Sequence, residues 1–132
     1  MRAVLEGTAF NLLTCIQAFR ESGAVIDSID AVGGGAQSDA YLSVLADVWG
    51  VPVRRRTIVE EANSLGAAVT AAVGLGLAEF SAARALSEVT AEFTPDADRH
   101  AAYARRHARF TDAYAALAPW FASAPHLQEG TR

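Results

Sequence analysis

Lysine is absent from the 132 residues, so all eleven basic side chains are arginines. A Gly-Lys-Ser or Gly-Lys-Thr phosphate loop is therefore excluded, and with it Walker-type ATP binding, in which that lysine reaches the β- and γ-phosphates. Cysteine is almost absent. Cys15 stands alone, so neither an intramolecular disulfide nor a cysteine zinc cluster can form, which fits a reducing cytoplasm. No apolar run approaches the ~18 residues of a membrane span. Residues 1–7 lack the apolar segment and small-residue cleavage site of a secretory leader, and a cytoplasmic location is expected. Excess positive charge is missing too: a net charge of -4 and a pI near 5.3 provide no basic face to release counter-ions from a phosphate backbone. Nucleic acid is not expected as a partner.

What is present is apolar and helix-prone. With 52% hydrophobic and 20% charged residues, the chain can build one compact domain around a single core. Val4, Leu5, Phe10, Leu12, Leu13, Ile16 and Phe19 recur at helical spacing over residues 3–20, with Gly23 as the stop. Residues 29–32 form a short β-branched stretch that runs into Gly33, Gly34 and Gly35, the pattern of a buried strand ending in a tight loop. Ser38 or Asp39 caps a second helix whose Tyr41, Leu42, Leu45, Val48 and Trp49 share a face before Gly50 ends it. A second strand is expected over 51–58, a third helix over 61–73 and a shorter helix over 80–89. Residues 93–95 read as a linker. A long amphipathic helix over 96–121 is expected to break near Pro119. Alternating strands and helices indicate an α/β layer with a parallel pair. Two strands alone make a poor sheet, so further strands are expected from sequence on the N-terminal side.

The segment Gly33-Gly34-Gly35-Ala36-Gln37-Ser38-Asp39 falls between a strand and a helix, where α/β folds place ligands. Glycines there permit positive φ and let a base, a ribose or a phosphate approach the main chain. A tight turn needed only for strand–helix packing would also use glycine. A dinucleotide fingerprint is a second alternative: Gly33 and Gly35 match its first two glycines, Ser38 stands where the third belongs, and Arg54, Arg55 and Arg56 follow where an NADP fold would hold a ribose phosphate.

Three strings carry a resemblance in both order and spacing: Gly33-Gly34-Gly35-Ala36-Gln37-Ser38, Leu45-Ala46-Asp47-Val48-Trp49-Gly50-Val51-Pro52-Val53, and Asn63-Ser64-Leu65-Gly66-Ala67-Ala68. Together they resemble the C-terminal domain of FGGY carbohydrate kinases, most closely the xylulokinase-like members. The likeness runs from the Glu6-Gly7 helix to the helix of Tyr114, Leu117 and Phe121. It implies an actin-like, ribonuclease-H-like ATPase fold, present here as its C-terminal portion, α/β in class and helix-rich with a small, mainly parallel sheet. Residues 1–121 would be the nucleotide-binding portion and residues 122–132 a disordered tail.

The family chemistry implied is transfer of the γ-phosphoryl group of Mg-ATP to a sugar hydroxyl, a pentulose such as xylulose being the foremost substrate. ATP would lie between two domains, with the sugar held mainly by the N-terminal one. The catalytic aspartate and the first phosphate loop are expected upstream of Met1. No catalytic or metal-binding residue is therefore assigned here, ATP and Mg2+ are expected to be bound mainly with the missing domain, and the chain alone should be inactive. Nucleotide contacts are implied for Gly33, Gly34, Gly35, Ala36 and Ser38, and for Asn63 on the helix beside the cleft. Ser38 replaces an asparagine found in glycerol-kinase-like relatives; its hydroxyl still donates and accepts, but without the longer amide's reach to the base. An NADP-binding oxidoreductase fragment and a non-catalytic interaction module remain as alternatives. A half-enzyme would also expose apolar surface, so self-association is expected.

The remaining polar residues are read structurally. Asp47 precedes buried-looking Val48 and Trp49 and is assigned to packing. His100 and His107 are taken as solvated helix histidines, and His126 as part of the tail. The arginine run is expected to be a solvated strand edge that discourages pairing. Glu60 and Glu61 suit a helix N-terminus, Gly66 and Ala67 are expected to allow close helix packing, and Trp49, Tyr103, Phe110, Tyr114, Trp120 and Phe121 are assigned to core or interdomain surface.

Overall fold

The computed structural model describes residues 2–58 and 61–123. Its elements are α1 (Arg2–Glu21), β1 (Ile29–Ala31), a 3-10 turn (Gly34–Gln37), α2 (Asp39–Trp49), β2 (Val53–Arg56), α3 (Ala62–Gly74), α4 (Ala82–Ala85), β3 (Val89–Phe93) and α5 (Ala97–Ser123). Glu60 and His126 lie outside the described residues.

Helix α2 is the centre of the core. Its Leu42, Leu45, Ala46, Val48 and Trp49 are all buried. Against it pack Ala9, Phe10, Leu13 and Ile16 of α1, Val53 of β2 and Tyr103 of α5. The indole of Trp49 is buried with its N–H donating to the Ala9 carbonyl at 3.0 Å, which satisfies the only polar atom it brings inside. Gly50 ends α2 in the left-handed region, φ 68°, the usual helix stop. A Cβ there would lie 2.6 Å from His100 Cε1, so glycine is required by space as well as by backbone.

The sheet has the order β1-β2-β3. β1 and β2 are parallel, Ile29 opposite Val53 and Ala31 opposite Arg55, joined through α2. β2 and β3 are antiparallel, Val53 opposite Phe93, with an irregularity between Arg55 and Arg56. β3 was not expected from the sequence, where residues 80–89 were assigned to a helix and 93–95 to a linker; helix survives only at α4. Val89, Ala91 and Phe93 alternate with Thr90 and Glu92, a period-two pattern too short to stand out beside the helix-favouring residues before it. The sheet is consequently mixed, one parallel and one antiparallel pairing, rather than mainly parallel.

Because β2 is the central strand, the arginine run is not a solvated edge. Alternation along the strand sends Arg54 and Arg56 to one face, where both donate to Asp30 at 2.9 Å. Arg55 goes to the other, where it meets Asp39 at 2.7 Å and lies over the Phe93 ring at 5.9 Å. Three like charges in sequence become two separated ion-pair groups.

Helix α5 is anchored at its start. Asp96 caps it, its Oδ1 accepting from the Arg99 amide at 2.9 Å. Asp47, 4% exposed, accepts from the Asp96 amide at 2.9 Å and from Arg99 Nε and Nη2 at 2.6 and 3.2 Å, which gives it the packing role read from its position. His100 and His107 are half-buried and partnered rather than solvated. His100 Nδ1 lies 2.8 Å from the Asp47 carbonyl, and the His107 ring packs against Phe10 and Phe110 at 5.6 and 6.2 Å between centroids. Further along, Glu6 of α1 joins Arg2, Tyr103 and Arg106. Burial pushes the Glu6 carboxyl up, but hydrogen bonds from Arg2 and Tyr103 and the charge of Arg106 outweigh it and hold the group below its ordinary value. α5 runs unbroken through Pro119 to Ser123, so the expected interruption does not occur; the rest of the expected tail lies outside the described residues.

Candidate functional site

The site is built by β1 delivering the chain into a turn at the carboxyl end of the parallel pair. Val32 follows the strand, half exposed, and Gly33 then takes φ 81° and ψ 179°, a combination available essentially to glycine alone. The Gly34–Gln37 turn closes with the Ala36 amide donating to the Gly33 carbonyl at 3.0 Å and the Ser38 amide to the Gly35 carbonyl at 3.2 Å. Ala36 is 2% exposed and pins the turn to the core. Ser38 then caps α2: its hydroxyl accepts from the Tyr41 amide at 3.3 Å, and its carbonyl from the Leu42 amide at 3.0 Å.

The three glycines have different surroundings. A Cβ at Gly33 or Gly34 would meet nothing within 4 Å, whereas at Gly35 it would lie 3.1 Å from Tyr41 Cε1. Gly35 therefore serves packing against the Tyr41 ring. Gly33 serves backbone conformation. Gly34 is exposed, has no positive φ and has open space above it, so nothing among the described residues requires its lack of a side chain. The tight-turn explanation covers Gly33 and Gly35 but leaves Gly34.

Electrostatics favour a neutral guest over a charged one. The α2 N-terminus already carries Asp39 in its first turn, paired with Arg55, whose Nη1 also lies 3.5 Å from the Ala36 carbonyl. That carboxylate occupies the helix end where a phosphate would otherwise gain from the dipole. The same pairings commit Arg54, Arg55 and Arg56 to Asp30 and Asp39, and so remove the free cations that an NADP ribose phosphate would need.

The structure gathers Gly33, Gly34, Gly35, Ala36 and Ser38 into this one turn. Asn63 stands apart, exposed on the first turn of α3, a helix that packs chiefly against α4. Gly66 and Ala67 are exposed as well, and a Cβ at Gly66 would touch nothing within 4 Å, so among the described residues they mediate no close helix packing. Sequence reasoning missed Arg55 and Asp39 as the pair bracing the loop; their separation of sixteen residues, one strand–helix repeat, was the available signal. No three His, Cys, Asp or Glu side chains gather as a metal site among the described residues.

The C-terminal-domain model of the FGGY family of carbohydrate kinases matches residues 1–75. A xylulose kinase of Staphylococcus epidermidis is 35% identical over 115 residues, 86% of this chain and 23% of that protein. A glycerol kinase of Citrifermentans bemidjiense is 37% identical over 99 residues, 74% of this chain and 20% of that protein. Among solved structures, the ligand-bound xylulose kinase of Lactobacillus acidophilus superposes with a TM-score of 0.77 at 25% identity, covering 89% of this chain and 24% of that one. The architecture is thus part of the actin-like ATPase fold of sugar kinases. The chain belongs to the FGGY family of carbohydrate kinases, its residues 1–75 matching the C-terminal domain, and it spans a fifth to a quarter of the length of these relatives.

Proposed function

We propose that this chain is the adenosine-binding portion of an ATP-dependent sugar kinase that transfers the γ-phosphoryl group of ATP to a hydroxyl of a pentulose such as xylulose. The observation that carries the reading is Gly34: an exposed residue without a side chain, in a turn fixed on both sides by Gly33 and Ala36, with no intramolecular reason to be glycine. A flat base or ribose can lie directly on that backbone. Ser38 and Ala36 border the same surface, and Asn63 is the contact proposed from α3 once the remaining portion of the kinase is in place. The acidic residue at the α2 N-terminus favours the neutral adenosine end over the phosphates. No carboxylate among the described residues is assigned as a base for the sugar hydroxyl, and in this reading phosphoryl transfer requires the portion of the relatives' length that the chain does not span. Mg2+ accompanies ATP and neutralises its phosphates; no residue here is assigned to it.

The pentulose reading rests on the likeness to xylulose kinases, with glycerol as the competing acceptor. The oxidoreductase alternative gains no support from the relatives and is opposed by the paired arginines. No helix among the described residues is long and apolar enough to cross a membrane, and a cytoplasmic location belongs to the same proposal. Thermal unfolding with ADP, Mg-ATP or NADPH tests the nucleotide site, since a ligand selective for the folded chain raises the midpoint. A rise with adenine nucleotides and none with NADPH is expected. Mixing with a separately produced N-terminal portion of a xylulose kinase, and following ADP release with xylulose or glycerol, tests the activity. No midpoint shift with any nucleotide, together with no turnover in the mixture, would sink the proposal.

A further inference from the structure

Asp39 follows the capping Ser38 and opens α2, so its carboxylate stands beside the glycine turn. An exposed aspartate side chain is ordinarily free to rotate. This one is held. Its Oδ1 accepts from Arg55 Nη1 at 2.7 Å, and the same Nη1 lies 3.5 Å from the Ala36 carbonyl. The arginine is itself fixed: it stems from the central strand, its guanidinium lies 5.9 Å over the Phe93 ring, and its side chain is only 24% exposed. One guanidinium thus ties β3, the turn and the first residue of α2 together, and orients the carboxylate.

That grip uses one oxygen. Asp39 Oδ2 accepts no hydrogen bond among the described residues, and the side chain is 72% exposed. Ser38 offers less, since its hydroxyl oxygen already accepts from the Tyr41 amide. A carboxylate oxygen that is oriented, open and next to an open glycine backbone is an acceptor for a hydroxyl group. The hydroxyls of a nucleotide are on its ribose. Dinucleotide folds show the two ways of reading them: a carboxylate accepts from a free ribose hydroxyl, whereas an arginine accommodates a ribose phosphate. Here both residue types are present, and the aspartate covers the arginine.

We propose that Asp39 is a specificity-determining residue of the nucleotide site: its Oδ2 accepts from a ribose hydroxyl, and its charge rejects nucleotides phosphorylated on the ribose ring. Arg55 is the positioning residue that holds the carboxylate at the turn. The assignment rests on the adenosine reading above and adds to it the group that is read, a free ribose hydroxyl. Two discriminations follow from one side chain. A deoxyribose leaves the acceptor without its donor, and a ribose phosphate sets one anion against another.

Isothermal titration calorimetry on the 132-residue chain with 5′-ADP, 2′-deoxy-ADP, 3′-deoxy-ADP and adenosine 2′,5′-bisphosphate tests it. The bisphosphate is an isomer of 5′-ADP, so the ratio of the two affinities reads where the charge is placed rather than how much there is. The unmodified chain is expected to bind 5′-ADP about 10-fold or more tighter than at least one deoxy analogue, the effect of a hydrogen bond to a charged group, and tighter than the bisphosphate. In Asp39→Ala the acceptor is gone and Arg55 is released. The deoxy penalty should vanish, and the preference over the bisphosphate should fall by about 10-fold or more. Arg55→Lys keeps the charge but loses the planar fork, so the deoxy penalty should shrink while the isomer preference stays. Asp112→Ala, which removes an exposed carboxylate from α5, should change neither. General destabilisation weakens every ligand together and leaves these ratios unmoved. A deoxy penalty of the same size with and without the Asp39 carboxylate, or an isomer preference that Asp39→Ala does not change, overturns the assignment and leaves the nucleotide site standing. A deoxy penalty unchanged in Arg55→Lys overturns the positioning role. An unmodified chain that binds none of the four ligands refutes the adenosine reading, and the assignment with it.

Discussion

Replacing Gly34 by alanine separates the fold's demands on the loop from a ligand's. The new Cβ meets nothing within 4 Å, and φ is not positive, so the folded chain accepts it without strain. Restricting the unfolded chain should then stabilise by ~0.4–1 kcal/mol, or about 2–4 °C for a domain of this size. The same methyl group stands in the space proposed for the nucleotide. With ADP at about 100 times its dissociation constant, the unmodified chain gains ~2.7 kcal/mol, about 10 °C. Gly34→Ala should lose most of that increment from an equal or higher baseline. Gly33→Ala should behave in the opposite sense: its φ of 81° and ψ of 179° cost alanine ~1–3 kcal/mol, and the midpoint should fall by about 4–12 °C without ligand. Scanning calorimetry with and without ADP reads both quantities. Full retention of the ADP increment by Gly34→Ala would refute the close approach of nucleotide to this backbone, and a harmless Gly33→Ala would refute the conformational argument beneath it.

Gly50→Ala should cost more than the ~1–2 kcal/mol of a left-handed residue, because its Cβ also collides with the His100 ring; adding His100→Ala should return part of the loss in a double-mutant cycle measured by urea unfolding. Asp47→Asn keeps the shape but turns an amide donor toward Arg99, and should destabilise by ~1–3 kcal/mol, seen as a lower urea midpoint at unchanged slope. Glu6→Gln tests the carboxyl held below its ordinary value. The contribution of a group with a lowered folded pKa is complete above the unfolded value of about 4.3 and is lost as pH falls through the folded one. The stability gap between unmodified chain and Glu6→Gln should therefore be full at neutral pH and shrink on acidification below about pH 4. A gap that stays constant into strong acid would refute the assignment.

How much of this was legible in the sequence depended on whether a residue's partners are near in the chain. α1, α2, β1 and the glycine turn announce themselves through local periodicity and stop residues, and all were read with nearly their observed limits. Arg54, Arg55 and Arg56 misled because their fate depends on β3, thirty-odd residues on, which converts an apparent edge into a central strand. His100 and His107 misled for the same reason. A helical wheel shows them beside arginines, but the Asp47 carbonyl and the Phe10 ring arrive from α2 and α1. Pro119 was read as a breaker because a proline removes one helical hydrogen bond; the loss of one bond was tolerated within a helix of twenty-seven residues.

The three strings that carried the family resemblance owe their sequences to different physical causes. Residues 45–53 are core: Leu45, Ala46, Val48, Trp49, Val51 and Val53 are all buried, Asp47 ties down α5, and Gly50 is forced by the His100 ring. Packing within the chain explains nearly every letter. In the 33–38 loop, packing and backbone geometry explain Gly33, Gly35, Ala36 and the capping Ser38, and leave Gly34. The string on α3 is explained least. A helix of thirteen residues is marginal in water on its own, yet of all its side chains only Val69 is buried. Asn63, Gly66, Ala67 and Ala68 lie exposed, on a helix rich in alanine and poor in charge. Small, uncharged residues on an open helical face are what a closely approaching neighbour requires. We therefore propose that the resemblance at α3 is to a contact made with the rest of a sugar kinase, and that the helix draws its stability from the same contact that would bring Asn63 to a nucleotide.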